Sequence, residues 1–428
     1  GTLTRIRSVN RSRSTLEYMF IQSSFLRRFR RAAAVVAAST LLTLAAAGQK
    51  PPASTPEVQA ALAPFVSNHT LAGAVTLVAS PDKVLSVDTV GYSDVAARKA
   101  MSGDAIFWIA SMSKPITAAA FMMLVDEGKV SLDDPVEKYL PEFKGQWVAV
   151  EKDKEHMLLK PAPPITVRQV LSHTSGLPFE TLVEKPVADV CPLNIRVPSY
   201  AMSPLEFAPG SDYKYSNAGI NTAGRIIEVV TGVPYEKFLQ DRLLTPLGMR
   251  DTTFRPSGEQ LARLAKSYKS NQTTGGLEEL EIGRLHYPLD DPKRQASPAG
   301  GLFSTARDVA RFCQMMLSGG TFEGRRYLSA AAIEQMASVQ TGNIVISEGT
   351  LGYGLGWSVV RKGGEEGGMR AGSYGHGGAY KTSMWIDPQR RLIFVLMRQH
   401  TGDFANPEGK KIQSQFVRAA IARFGDSK

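Results

Sequence analysis

Ile109-Ala110-Ser111-Met112-Ser113-Lys114 is the stretch that decides how this chain is read. A helical apolar pattern follows at once. Ile116, Ala119, Ala120, Met123, Leu124 and Val125 recur at three- to four-residue intervals, and Gly128 closes the run. Pro115 is compatible with the first turn, where its missing N–H had no intrahelical partner. The pattern predicts a helix headed by Ser111, with Lys114 three residues on and on the same face. A hydroxyl beside an amine, at a helix N-terminus that favours developing negative charge, suits nucleophilic attack on an acyl group. Ser-x-x-Lys occurs twice more, from Ser80 to Lys83 and from Ser211 to Lys214. The first spans a Pro-Asp turn and the second lies in a Gly/Asp/Tyr loop. Taken alone, Ser111 has a structural alternative as an N-cap.

Two later motifs bear on that alternative. Tyr215-Ser216-Asn217 is the only Tyr-x-Asn in the chain; it follows the loop signal Pro209-Gly210 and precedes a helix read over Ala218 to Thr231. A free phenol has a pKa of ~10, so a tyrosine base near neutral pH needs its phenolate stabilised by ~3 units, about 4 kcal/mol. An ammonium such as Lys114 is suited to supply part of it. Asn217 offers an amide to a substrate carbonyl or to Lys114. Gly375-His376-Gly377-Gly378-Ala379 leads into a strand read over Ala379 to Ile386. Its glycines allow close backbone approach to a ligand. The N–H groups of Ala379 and Ser111 are then candidates for an oxyanion hole. A structural tyrosine beside a helix cap, and a hairpin loop with a structural histidine, are the plain alternatives.

Together with Leu171-Ser172-His173-Thr174-Ser175-Gly176-Leu177, Phe207-Ala208-Pro209-Gly210 and Ala299-Gly300-Gly301-Leu302, these motifs resemble the serine β-lactamase and penicillin-binding-protein superfamily. The likeness covers about Val58 to Phe424. It is to the class C β-lactamase-like branch, and within it to the family VIII carboxylesterases, with D-stereospecific peptidases nearby. The resemblance implies that Ser111 is the nucleophile that forms an acyl-enzyme, that Lys114 helps deprotonate it, and that Tyr215 shuttles a proton to the leaving group. It implies that Asn217 positions substrate, that Ala379 and Ser111 supply the oxyanion amides, and that His173 is structural. His376-Gly377-Gly378 stands where the family usually has Lys-Thr-Gly. Histidine is mostly neutral at pH 7, and Gly377 lacks the threonine hydroxyl. That departure favours a neutral ester over a β-lactam carboxylate. The expectation is a serine hydrolase, a carboxylesterase acting on short-chain acyl esters. The alternatives are a β-lactamase or D-amino-acid peptidase using the same residues, or a silent protein that binds penicillin or peptidoglycan fragments. Gly-x-Ser-x-Gly and the class A Glu-x-x-Leu-Asn pattern are absent.

The bulk properties agree with an ordinary globular enzyme. The chain has 428 residues, 43% of them hydrophobic and 21% charged. Its net charge of +10 is concentrated in residues 1–47, which hold eight Arg and one acidic residue; the remainder carries only +3. No basic cluster in that remainder suits a phosphate backbone, so no nucleic-acid partner is expected. Arg27, Arg28, Arg30 and Arg31, the apolar run Ala32 to Leu44 and the small residues Ala45 to Ala47 read as an export signal, with Met19 a plausible start. The run is too short to span a bilayer. The reading is therefore a periplasmic or secreted protein without stable membrane insertion. An organellar transit peptide is the alternative, since Phe20 to Ala47 is rich in Arg and Ser and lacks acids. Six histidines show no ligand spacing and no dinucleotide fingerprint precedes a helix, so neither metal nor cofactor is expected. Cys191 and Cys313 read as unpaired thiols.

Strands near both ends and helices between them predict the fold class. It is α/β in composition (α+β in arrangement), an antiparallel sheet flanked by helices and built from both termini, with a mostly helical second lobe. The division expected is 48–132 with 291–428 for the sheet, and 133–290 for the helical and irregular lobe. The resemblance implies the β-lactamase/DD-peptidase-like form of this architecture. Gly145 to Tyr200 and Asn271 to Pro298 are expected to wall the pocket.

Overall fold

Two strands buried along their whole length organise the fold. They are β1 (Gly73–Ala79) and β8 (Leu392–Met397), and they pair antiparallel, Val75 opposite Met397 and Ala79 opposite Ile393. A strand apolar on both faces needs cover on both. Here Ala74, Val78, Phe394 and Leu396 face two helices from the chain ends, α1 (Pro56–Ser67) and α7 (Ile412–Phe424), which contribute Val58, Leu62, Phe416 and Val417. Val75, Leu77, Ile393 and Val395 face the larger core, which includes α2 (Ser113–Asp126) and α6 (Ala306–Leu317). The structure is a computed structural model, and it describes residues 54–425 except 152, 154–156, 186 and 364–366. The export signal read over 1–47 lies outside the described residues.

The sheet has eight strands. From one edge they run β4 (Leu351–Tyr353), β5 (Ser358–Val360), β6 (Tyr374–Gly377), β7 (Ser383–Asp387), β8, β1, β2 (Val84–Asp94) and β3 (Lys99–Ala100), each pair antiparallel. The mixed architecture with its large antiparallel sheet is the fold class expected. β4 and β5 form a hairpin around a turn at Gly354 to Trp357. Gly356 has φ +77°, and a Cβ there would lie 2.8 Å from the Ala118 Cβ and 3.1 Å from the Lys114 carbonyl oxygen. The turn thus presses on the start of α2. The strand read over Ala379 to Ile386 is likewise a hairpin. His376 and Gly377 end β6, and Gly378 to Thr382 form the turn into β7.

Further helices lie between β3 and β4. They include α3 (Val167–Leu171), closed by a Thr166/Gln169 capping box, α4 (Leu193–Ala201) and α5 (Asn217–Thr231). The Ser216 hydroxyl caps α5 by accepting the Gly219 N–H, and Gly232 at φ +69° ends it. Short strands missed in the sequence also fall here, among them the hairpin Trp147–Glu151 with Met157–Pro161. Two buried ion pairs fix the loops of this region. Arg294 meets Asp189 at 3.0 Å, and Arg196 meets Glu184 at 3.6 Å. Cys191 and Cys313 are both free thiols, Cys313 being buried in α6.

Candidate active site

The backbone delivers Ser111 in a strained turn. Phe107–Trp108 pairs with Phe303–Ser304, and the Ile109 N–H donates to the Leu302 carbonyl at 3.0 Å. Ala110 follows with φ +45°, a costly conformation for a residue with a Cβ. Ser111 then sits in a single 3₁₀ turn, Ala110–Met112, and the α-helix begins at Ser113. The expected helix head at Ser111 is thus displaced by two residues. The Ser113 hydroxyl fixes the corner: it donates to the Ala110 carbonyl at 2.7 Å and accepts the Leu302 N–H at 3.2 Å.

Lys114 is fully enclosed in α2, and its partners are few. Its Nζ lies 2.8 Å from Asn217 Oδ1, 2.7 Å from the Ala299 carbonyl and 3.1 Å from Ser111 Oγ. Burial pulls its pKa well below the ordinary lysine value, and the Arg284 charge acts in the same direction. When this amine is neutral it has two N–H bonds and one lone pair; the two carbonyl oxygens only accept, so they take both hydrogens and leave the lone pair for the Ser111 hydroxyl proton.

Tyr215 lies over this amine, its ring centroid 4.6 Å from Lys114 Nζ. Burial pushes its phenol above the usual value, while the Ser111 hydroxyl works the other way. Burial thus favours the neutral phenol and draws the amine toward its neutral form, against the phenolate stabilised by an ammonium that the sequence considered. Dehydration penalises both charges here. His376, from β6, is buried, and burial with the Lys114 charge holds its imidazole down at about 3. It is therefore a neutral group at the position of the family lysine. His173, at φ +62°, accepts the Ser216 N–H on Nδ1 at 3.2 Å and packs on Tyr215 with centroids 4.6 Å apart.

The turn after His376 meets the serine from the other side. A Cβ added at Gly378 would lie 2.5 Å from the Ile109 carbonyl oxygen and against the Thr382 hydroxyl. Only a glycine fits that approach. Gly377 is under no such pressure, its nearest neighbour being 3.7 Å from an added Cβ. Ser111 and Ala379 then line one cavity of about 130 Å³ together with Trp108, Phe179, Asn217 and Arg284. Among the described residues neither the Ser111 nor the Ala379 backbone N–H has a hydrogen-bond partner. Arg284 pairs with Glu180 at the rim. Both segments expected to wall the pocket contribute, the first through Phe179, Ala188 and Asp189, the second through Arg284, Leu285, Arg294 and Ser297.

The eight residues singled out in the sequence come to one place. Ser111, Asn217 and Ala379 face the cavity, whereas Lys114, Tyr215 and His376 stand behind it. Sequence reasoning missed the Ala299 carbonyl, the Trp108 wall and Tyr353. Trp108 Nε1 donates to the Gly300 carbonyl at 2.9 Å. The motif around Ala299 was visible, but a backbone oxygen leaves no mark in a sequence. No group of three or more His, Cys, Asp or Glu among the described residues could hold a metal ion. No helix among them is long and apolar enough to cross a membrane.

Comparison with known proteins places this geometry. The profile of the Beta-lactamase family matches residues 58–414. Protein Rv1367c of Mycobacterium tuberculosis is 33% identical over 83% of this chain and 95% of its own. Esterase EstB of Burkholderia gladioli is 30% identical over 76% of this chain and 86% of its own. Among solved structures, EstCE1, described as a hydrolase with promiscuous acyltransferase activity, superposes with a TM-score of 0.70 at 24% identity, covering 85% of this chain and 97% of its own.

Proposed function

The chain belongs to the β-lactamase family, whose members are serine hydrolases, and from that premise we propose that it is a carboxylesterase acting through an acyl-enzyme on Ser111. The observation that carries the reading is the enclosed Lys114 amine, whose Nζ lies 2.8 Å from Asn217 Oδ1, 2.7 Å from the Ala299 carbonyl and 3.1 Å from Ser111 Oγ. In this reading Lys114 takes the Ser111 proton as Oγ bonds to the ester carbonyl carbon. The oxyanion that forms is held by the backbone N–H groups of Ser111 and Ala379. The intermediate collapses by breaking the bond to the alkoxy oxygen. Tyr215 gives that oxygen its proton and recovers one from Lys114. Water then repeats the sequence on the acyl-enzyme and releases the acid.

The substrate class follows from charge. At the position where the family usually carries a lysine, His376 is buried and neutral, so the β6 side of the site offers no cation to a β-lactam carboxylate. The free space is small and bounded by Trp108, Phe179 and Leu285, which suits a short, uncharged acyl ester. The arginine-rich, acid-poor tract before residue 48 supports export of the enzyme.

The test is a parallel rate measurement on wild type and Ser111→Ala with a short-chain nitrophenyl ester and a chromogenic cephalosporin. Ester turnover well above cephalosporin turnover is expected, and the variant is expected to lose on the order of 10³ to 10⁶ in rate. Preferred turnover of the cephalosporin would make the enzyme a β-lactamase. Stable acylation by penicillin without turnover would make it a binding protein.

A further inference from the structure

His173 and His376 lie on either side of the Tyr353 hydroxyl, and the groups beyond them leave one arrangement of protons. A backbone N–H only donates. The Ser216 N–H lies 3.2 Å from His173 Nδ1, so that nitrogen is bare. A backbone carbonyl only accepts. The Gly377 oxygen lies 2.7 Å from His376 Nδ1, so that nitrogen carries a hydrogen. Both imidazoles are enclosed and neutral, each with a single N–H. His173 therefore carries its hydrogen on Nε2, and His376 has its lone pair on Nε2. The Tyr353 oxygen accepts from His173 Nε2 at 3.1 Å, and its hydroxyl donates to His376 Nε2 at 3.0 Å. Reversing the middle bond would leave His173 with two bare nitrogens.

The consequence falls on Tyr215, whose hydroxyl is 3.5 Å from that same His376 Nε2. An imidazole nitrogen has one lone pair, and Tyr353 occupies it. The Tyr215 proton is thus left on the Ser111 side. We propose that Tyr353 is a positioning residue: it occupies the Nε2 lone pair of His376 and so keeps the Tyr215 hydroxyl free to protonate the leaving group. This rests on the roles given to Ser111 and Tyr215 above. Without the Tyr353 hydroxyl, the His376 Nε2 lone pair is open to the Tyr215 hydroxyl and draws its proton away from the cavity.

The Tyr353 ring is held independently of its hydroxyl. Its N–H donates to Thr341 Oγ1 at 3.3 Å, its carbonyl accepts the Gln340 N–H at 2.7 Å, and its ring packs on His173 and Tyr213 with centroids 4.6 and 5.7 Å apart. Tyr353→Phe keeps those contacts. The decisive comparison is kcat/KM on two esters of one acid, a nitrophenyl ester and an ethyl ester. Nitrophenolate leaves without a proton, whereas ethoxide needs one. In Tyr353→Phe the ethyl ester is expected to lose about tenfold or more and the nitrophenyl ester less than about threefold, within the range general acid catalysis supplies. Equal losses on both would reduce Tyr353 to a structural role and overturn the proposal.

A second measurement needs no variant and no turnover. Nitrogen-15 spectra of the wild-type chain report which ring nitrogen of each histidine is protonated. The expected result is Nδ1–H on His376 and Nε2–H on His173. An Nε2–H tautomer on His376 overturns the proposal. Retained activity in Ser111→Ala would instead remove the catalytic reading and leave the tautomer result standing.

Discussion

Lys114 is the residue on which burial and hydrogen bonding act together. It is enclosed in α2 and faces two carbonyl oxygens and one hydroxyl, with no carboxylate among its hydrogen-bond partners. Its folded pKa is lowered by burial, so the unfolded chain takes up a proton that the folded chain refuses. Between the lowered value and the ordinary lysine value the unfolded state holds one more proton, and stability rises with pH. The slope for one group is about 1.4 kcal/mol per pH unit. Lys114→Met lacks this contribution. The unfolding free energy of wild type minus that of the variant, followed by urea titration from pH 8 to 10, is expected to climb at about that slope. A flat difference would mean that folded Lys114 is charged. At this scale the sequence was legible in identity and less so in charge. Ser111, Lys114 and Tyr215 stood out because helix spacing and a unique Tyr-x-Asn mark them. Their protonation depends on how much water each one loses, and spacing carries no record of burial. Tyr353 was invisible for a related reason: its partners, His173 and His376, are brought to it by tertiary packing from distant parts of the chain.

Among elements, the turn between β6 and β7 makes the sharpest demand. Gly378 abuts the Ile109 carbonyl and the Thr382 hydroxyl, while a Cβ at Gly377 one residue earlier would meet only the Thr382 carbonyl oxygen, at an ordinary 3.7 Å. The two glycines are therefore expected to respond differently to the same added methyl. Gly377→Ala should stay within about 0.5 kcal/mol of wild-type stability. Gly378→Ala should lose about 1–3 kcal/mol, as overpacked sites do, and about tenfold or more in kcat as Ala379 is pushed out of place. Thermal melts and initial rates of the two variants check this, and equal tolerance would contradict it. Element boundaries explain what the sequence misplaced. Leu351-Gly352-Tyr353-Gly354-Leu355-Gly356-Trp357 alternates glycine with large residues, and the positive φ at Gly356 makes it one arm and the turn of a hairpin pressed on α2. The strand read from Ala379 starts later, at Ser383, because Gly378 to Thr382 turn back against Ile109. The helix read over Ala218 to Thr231, whose cap is written in the Ser216 side chain, was placed nearly to the residue.

For the whole molecule, the pairing of β1 with β8 is what brings distant motifs together. It joins strands from opposite ends of the chain, so that Ser111 after β3 and Ala379 after β6 line one cavity. This much was legible, because strands gathered at both ends of a chain with helices between them admit few other arrangements. The loops that bound the cavity were legible only as segments. Their shape is set by the Arg294–Asp189 and Arg196–Glu184 pairs, which join residues 105 and 12 positions apart, respectively. The central claim is that this assembly carries an acyl group on Ser111 during turnover. Rapid acid quenching during hydrolysis of a short-chain nitrophenyl ester, followed by peptide mass spectrometry, tests it directly. The account expects the acyl mass on the peptide containing Ser111, and its disappearance in Ser111→Ala. An adduct on another residue, or turnover that continues in Ser111→Ala at more than about a tenth of the wild-type rate, would contradict it.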